Sequence, residues 1–124
     1  MADSFWVIPD AAAIRTPQSI LREQASALTQ QTHGVLVGEA EAKADGDELV
    51  VSLDVVVPGL NDYRYRVLTY RQPLEMYPGS FWGSGVATQT ISDETRFVSV
   101  VKAALSSQKV KNVLTSLLAQ VSDA

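Results

Sequence analysis

The sequence predicts an α+β domain: an N-terminal helix, an antiparallel four-stranded meander and two C-terminal helices. Three observations carry that expectation. Strand-like alternation runs from Leu36 to Tyr70, broken by turn residues at Asp45-Gly46 and again from Pro58 to Asp62. Apolar residues at helical spacing occupy both flanks of that stretch. The 124 residues are 46% hydrophobic and 19% charged, the composition of one globular domain that buries roughly two thirds of its unfolded surface. The expected organisation is an N-terminal arm over residues 1–15 and an α+β body over residues 16–121.

The arm carries an aromatic-aliphatic knot, Phe5-Trp6-Val7-Ile8, closed by Pro9. A knot of this kind is expected to pack onto the body as an arm or edge strand, since bare apolar patches are rare; left exposed, it would be an element for binding a partner. Thr16-Pro17 reads as the N-cap and first position of a helix from about Pro17 to Gln31. Ile20, Leu21, Gln24/Ala25 and Leu28 form one face of it, and Gly34 after His33 is free to take the left-handed cap.

With Asp45-Gly46 as the central residues of a hairpin turn, Ala44 faces Asp47 and the two strands sort by face. Leu36, Gly38, Ala40 and Ala42 then lie opposite Val55, Leu53, Val51 and Leu49, with Lys43 opposite Glu48 on the other side. A third strand from Tyr63 to Arg71 pairs with the second if Val57 faces Tyr63, which sets Tyr65 and Val67 inward and matches Asp54 with Arg66 on the reverse face. Gln72-Pro73 ends the pairing, because proline cannot donate to a ladder. Leu74 to Ser80 reads as a loop and Phe81 to Ile91 as a fourth strand, with Gly83 and Gly85 marking a bulge. Ser92-Asp93-Glu94 caps a helix carrying Phe97, Val98, Val101, Ala104 and Leu105. The stripe loses phase at Ser106-Ser107-Gln108 and resumes from Val110 to Val121, so a kink and a full break both fit.

On this layout the reverse sheet face is semi-apolar, with Val35, Val37, Val50, Val56, Leu68 and Tyr70 among Glu39, Asp54, Arg64 and Arg66. Helices on both faces, the arm folded across, or a second copy would each hide it. The last makes a homodimer through the sheet one expectation.

Catalytic equipment is sparse. The chain has no cysteine and one histidine, which leaves no thiolate nucleophile, no zinc–thiolate site and no multi-histidine metal site. His33 is explained by its place at a helix C-terminus. Gly79 to Gly85 lacks the Gly-Lys-Ser/Thr ending of a phosphate loop and precedes a strand rather than a helix. No serine sits in a nucleophile elbow. No cofactor is expected. The net charge of −4 opposes nucleic acid and anionic membranes as partners, and alternation puts the tyrosines of Tyr63-Arg64-Tyr65-Arg66 on the face opposite the arginines, unlike a base-stacking platform. The first residues lack a basic segment and a long apolar run, so the chain is expected to be cytoplasmic.

What the residues favour is a non-enzymatic protein-interaction module of the immunity or chaperone type that masks a bacterial partner. Arg64, Arg66, Tyr70, Tyr77 and Trp82 are the candidate contacts, because arginine, tyrosine and tryptophan anchor interfaces and loops carry recognition. The alternative is a small-molecule-binding or hydrolytic domain with a pocket between sheet and helices near Tyr63, Tyr65, Glu75 and Trp82.

Overall fold

In the computed structural model, which describes residues 3–123, three α-helices and an antiparallel five-stranded sheet form an α+β fold. Helix α1 (Pro17–Gln31) precedes strands β1 (Val37–Asp45), β2 (Glu48–Val57), β3 (Tyr63–Gln72), β4 (Gly79–Gly83) and β5 (Val86–Ile91), and helices α2 (Glu94–Leu105) and α3 (Gln108–Asp123) follow. The strands keep chain order across the sheet, and all three helices lie on one of its faces.

Helix α1 starts where the sequence places it. The Thr16 hydroxyl accepts from Ser19 N–H and the Ser19 hydroxyl accepts from Thr16 N–H, both at 3.0 Å, a reciprocal cap that satisfies two otherwise orphan donors. Its inward face of Ile20, Leu21 and Ala25 lies over β1 and β2. The approach is close because β1 offers Gly38: a Cβ there would fall on the Ala25 backbone, and the Gly38 N–H donates to Thr29 Oγ1 at 2.9 Å.

The first hairpin differs from expectation in register. Gly46-Asp47, not Asp45-Gly46, are its central residues, Asp45 pairs with Glu48, and Ala44 faces Leu49 rather than Asp47. The only left-handed φ of this turn is at Gly46, its first central position, which matches the II′ geometry that follows strand twist. Every partner moves by two residues, so each side chain keeps its face. Val56 consequently meets Val37, and Glu39 meets Asp54.

The second hairpin turns as expected, with Val57 opposite Tyr63 and Asp54 opposite Arg66, and then shifts. Leu53 pairs with Leu68, leaving Val67 as the extra residue of a bulge. Val67 and Leu68 both turn inward and the parity of the rest of β3 reverses. Leu68 and Tyr70, expected on the reverse face, are therefore in the core. The carbonyl of the extra residue is satisfied by Ser84 N–H, which donates to Val67 O at 2.9 Å.

Where one strand was expected from Phe81 to Ile91 there are two. Gly83 pairs with Val86, and Ser84-Gly85 between them forms a turn with Gly85 at φ +78°. Gly85 turns the chain between the two strands, and the β4–β5 register also shifts between Phe81 and Gly83, the irregularity the sequence marks at Gly83. The C-terminal helices are fully separate: Ser106 and Ser107 hydroxyls donate to the last carbonyls of α2, and Ser107 Oγ also accepts from Val110 N–H to open α3.

The bulge divides the core into two clusters. One joins Leu53, Leu68, Tyr70 and Phe81 with Ile20, Leu21 and the α2 residues Phe97 and Val101. The other joins Leu36, Val55, Val57 and Val67 with Val110 and Leu117 of α3. The N-terminal knot does not pack onto the body: exposure runs from 98% at Phe5 to 80% at Ile8. Among the described residues no helix is long and apolar enough to cross a membrane.

Candidate functional site

The face of the sheet away from the helices is open, and its outward residues come from alternation on β1, β2 and β3. Strand β2, paired on both edges, contributes Asp54, which is 1% exposed although no helix covers it. The cover is its own neighbours. Arg66 grips the carboxylate through Nε to Oδ1 at 2.8 Å and Nη2 to Oδ2 at 3.2 Å, and Arg64 Nη1 reaches Oδ2 at 2.9 Å. The two guanidinium groups close over the carboxylate while about half of each arginine side chain stays in water.

Arg64 also bridges to Glu39, Nη2 to Oε1 at 2.9 Å. That contact resolves a cross-strand clash, since Glu39 sits directly opposite Asp54 and like charges in that position repel. Burial pushes the Asp54 carboxyl up, but the hydrogen bonds and charges of Arg66 and Arg64 outweigh it and hold the group below its ordinary value. At the hairpin end Arg71 pairs with Asp45 at 2.9 Å and Glu48 at 3.1 Å. The face is thus a lattice of opposite charges in near balance.

The five sequence-predicted contact residues divide between the two faces. Arg64, Arg66 and Trp82 share the open side. Trp82, opposite Thr69 on β3, is 44% exposed and lines with Arg66, Ser84 and Thr88 a shallow depression of about 290 Å³. Tyr70 and Tyr77 lie on the helix side. Tyr70 is fully buried, its hydroxyl donates to Met76 O at 2.6 Å, and its ring meets Phe97 at 4.9 Å. Tyr77 stands at the edge of the same aromatic cluster with its hydroxyl buried and unpartnered. Burial, then the charges of Glu94 and Asp93, push the Tyr77 hydroxyl up to about 12; burial raises Tyr70 further, with a contribution from Tyr77. Tyr70 is thus a core residue in this structure, because the bulge at Val67 turns it away from the arginines.

The residues proposed for a pocket are also split. Tyr63 and Tyr65 line a cavity of about 590 Å³ against Leu60 and the α3 residues Asn112, Ser116 and Gln120. Glu75 and Trp82 are not part of it. Tyr65 hydrogen-bonds Ser84 Oγ through its hydroxyl, so its ring is fixed in place. The polar groups of this cavity are phenols, amides and one hydroxyl, which suits recognition of neutral groups more than acid–base work. Among the described residues no three His, Asp or Glu side chains gather as a metal site.

Sequence reasoning missed the Arg64–Glu39 bridge, which depends on the two-residue register change. Of the cavity under α3 it anticipated Tyr63 and Tyr65 but not the α3 side, Asn112, Ser116 and Gln120. No family model matches the chain, and no curated protein or solved structure does so either.

Proposed function

We propose that the chain is a non-enzymatic protein-interaction module that presents the open sheet face, with Arg64, Arg66 and Trp82, to a protein partner of mixed charge. One observation carries this reading: a half-exposed tryptophan stands beside an ordered lattice of arginines and carboxylates on a face that no helix covers. Aromatic and arginine side chains held in place by neighbours are what interface anchors require. Leu68 and Tyr70, which had favoured self-association through the sheet, lie in the core, so a hydrophobic sheet-to-sheet contact has lost its two largest members. Masking of a bacterial partner, in the manner of an immunity protein or chaperone, is the activity this surface would serve.

The test is affinity capture from the native host with the parent chain and with Trp82→Ala. A stoichiometric partner whose binding weakens about tenfold or more in the variant supports the reading, since anchor truncation costs upward of about 1–2 kcal/mol. Recovery of no stoichiometric partner, or of one indifferent to Trp82→Ala, counts against it.

A second reading rests on the cavity at Tyr63 and Tyr65, whose volume of about 590 Å³ falls within the range of small-molecule sites. Its lining favours an uncharged ligand with an apolar body and hydrogen-bonding groups. Thermal-shift screening against such compounds, repeated with Tyr63→Ala, separates it from the first.

A further inference from the structure

A different part of the molecule carries an unfilled requirement. Where the first hairpin turns, the inner face of the sheet extends past the start of α1 and ends in a groove of about 350 Å³. Ala42, Leu49 and Val51 form its floor, and Ile14, Leu74 and Met76 its walls. Two of these walls are exposed for apolar residues, Leu74 at 73% and Ile14 at 56%. Gln72 also lines the groove, is 4% exposed, and its Oε1 has no hydrogen-bond partner. A buried acceptor without a donor costs free energy on the order of 1–3 kcal/mol, so such a site calls for an N–H or O–H from elsewhere.

The same chain holds a matching element. Phe5-Trp6-Val7-Ile8 is the most exposed apolar run of the described residues, and the lead-in that carries it departs from the rim of this groove, which Ala11 lines. Tryptophan supplies a ring to fill an apolar slot and an indole N–H that is only a donor and needs an acceptor once buried. In the single chain the knot stays in water. Two local turns hold the lead-in, with Ala12 N–H donating to Asp10 Oδ1 at 3.0 Å and Ile14 N–H donating to Ala11 O at 3.1 Å.

We propose that the groove is completed by a second copy of this chain, the two arms exchanging about a two-fold axis so that Trp6 of each copy seats in the groove of the other and donates to Gln72 Oε1. The contact is isologous: each copy gives one arm and receives one, which closes the assembly at two. Gln72 Oε1 is buried, and rotation about the broad terminal torsion of glutamine is the movement that would bring it to the incoming donor. The groove lies on the helix side of the sheet, so the exchange leaves Arg64, Arg66 and Trp82 open.

The experiment uses the 124-residue chain and its two tryptophans. In Trp82→Phe, Trp6 is the one remaining indole and its emission reports its own burial. Sedimentation of this variant and of the parent chain is followed from micromolar to millimolar concentration. The expected result is a doubling of mass together with a shift of Trp6 emission to shorter wavelength. Trp6→Ala should remain monomeric with the melting temperature of the dilute parent. Gln72→Leu, checked for folding by circular dichroism, should weaken the dimer by about three- to tenfold. A parent chain that stays monomeric throughout overturns the proposal. So does a dimer that survives Trp6→Ala, one indifferent to Gln72→Leu, or a short-wavelength Trp6 emission already present in the monomer.

Discussion

The two faces of the sheet are held together by different physics. The helix side is a close-packed core in which Tyr70, Phe81 and Phe97 fill space between strands and helices and exclude water. The open side is held by charge pairs that keep one foot in solvent, with a single carboxylate, Asp54, fully withdrawn beneath two arginines. Packing tolerates no loss of volume, whereas a half-hydrated ion pair yields little when broken. The helix side should therefore govern stability and the open side should be free to evolve contacts, with Asp54 the exception that belongs to both.

That contrast can be broken by substitution, and the largest effect is expected in the core. Phe97→Ala should cost about 3–5 kcal/mol in denaturant unfolding, because it empties the centre of the aromatic cluster. Gly38→Ala should follow, at about 1–3 kcal/mol, since its new methyl meets the Ala25 backbone, which cannot retreat without moving α1.

Asp54→Asn is expected to cost about 1–3 kcal/mol, less than a deeply buried pair, because Arg64 and Arg66 can rehydrate. The pH dependence has a definite sign. The folded carboxyl titrates below its ordinary value of 3.8, so its stabilisation is complete above that value and disappears as pH falls through the lower, folded one. Acid unfolding curves of the parent should show this loss, and Asp54→Asn should remove it. Arg71→Gln should change stability least of the four, and by less still at high salt, as exposed pairs do. A cost for Arg71→Gln as large as that for Phe97→Ala would erase the distinction between the faces.

Much of this layout was legible because the relevant signals are local. Thr16-Pro17 marks the start of α1, Asp93 caps α2 by accepting from Arg96 N–H, and the turn from Pro58 to Asp62 fixes Val57 against Tyr63. The first hairpin was misread by two residues because Gly38, Ala40, Ala42 and Ala44 are nearly interchangeable: sliding the ladder exchanges one small residue for another. The glycine in Asp45-Gly46-Asp47 serves either as second central residue of a type I′ turn or as first of a type II′ turn, and both follow strand twist, so the turn residues do not choose the register.

The bulge is a different failure. Strict alternation on β3 would send Thr69 and Arg71 inward and Leu68 and Tyr70 outward, an arrangement whose improbability was itself a signal of a parity change near Val67. The candidate site inherited that error, with Tyr70 on the wrong face, while Arg64 and Arg66, which precede the bulge, lie on the face that alternation gives them. The expectation of a docked arm failed for another reason: an apolar knot satisfies its own body or another molecule equally well, and sequence does not distinguish the two.

Cross-strand proton contacts between β2 and β3 in solution test the parity change at Val67 most directly. The account predicts that Leu53 faces Leu68, that Asp54 faces Arg66 and that the Tyr70 ring touches Phe97. A Leu53–Val67 pair, with Tyr70 in water beside Arg66, would contradict it.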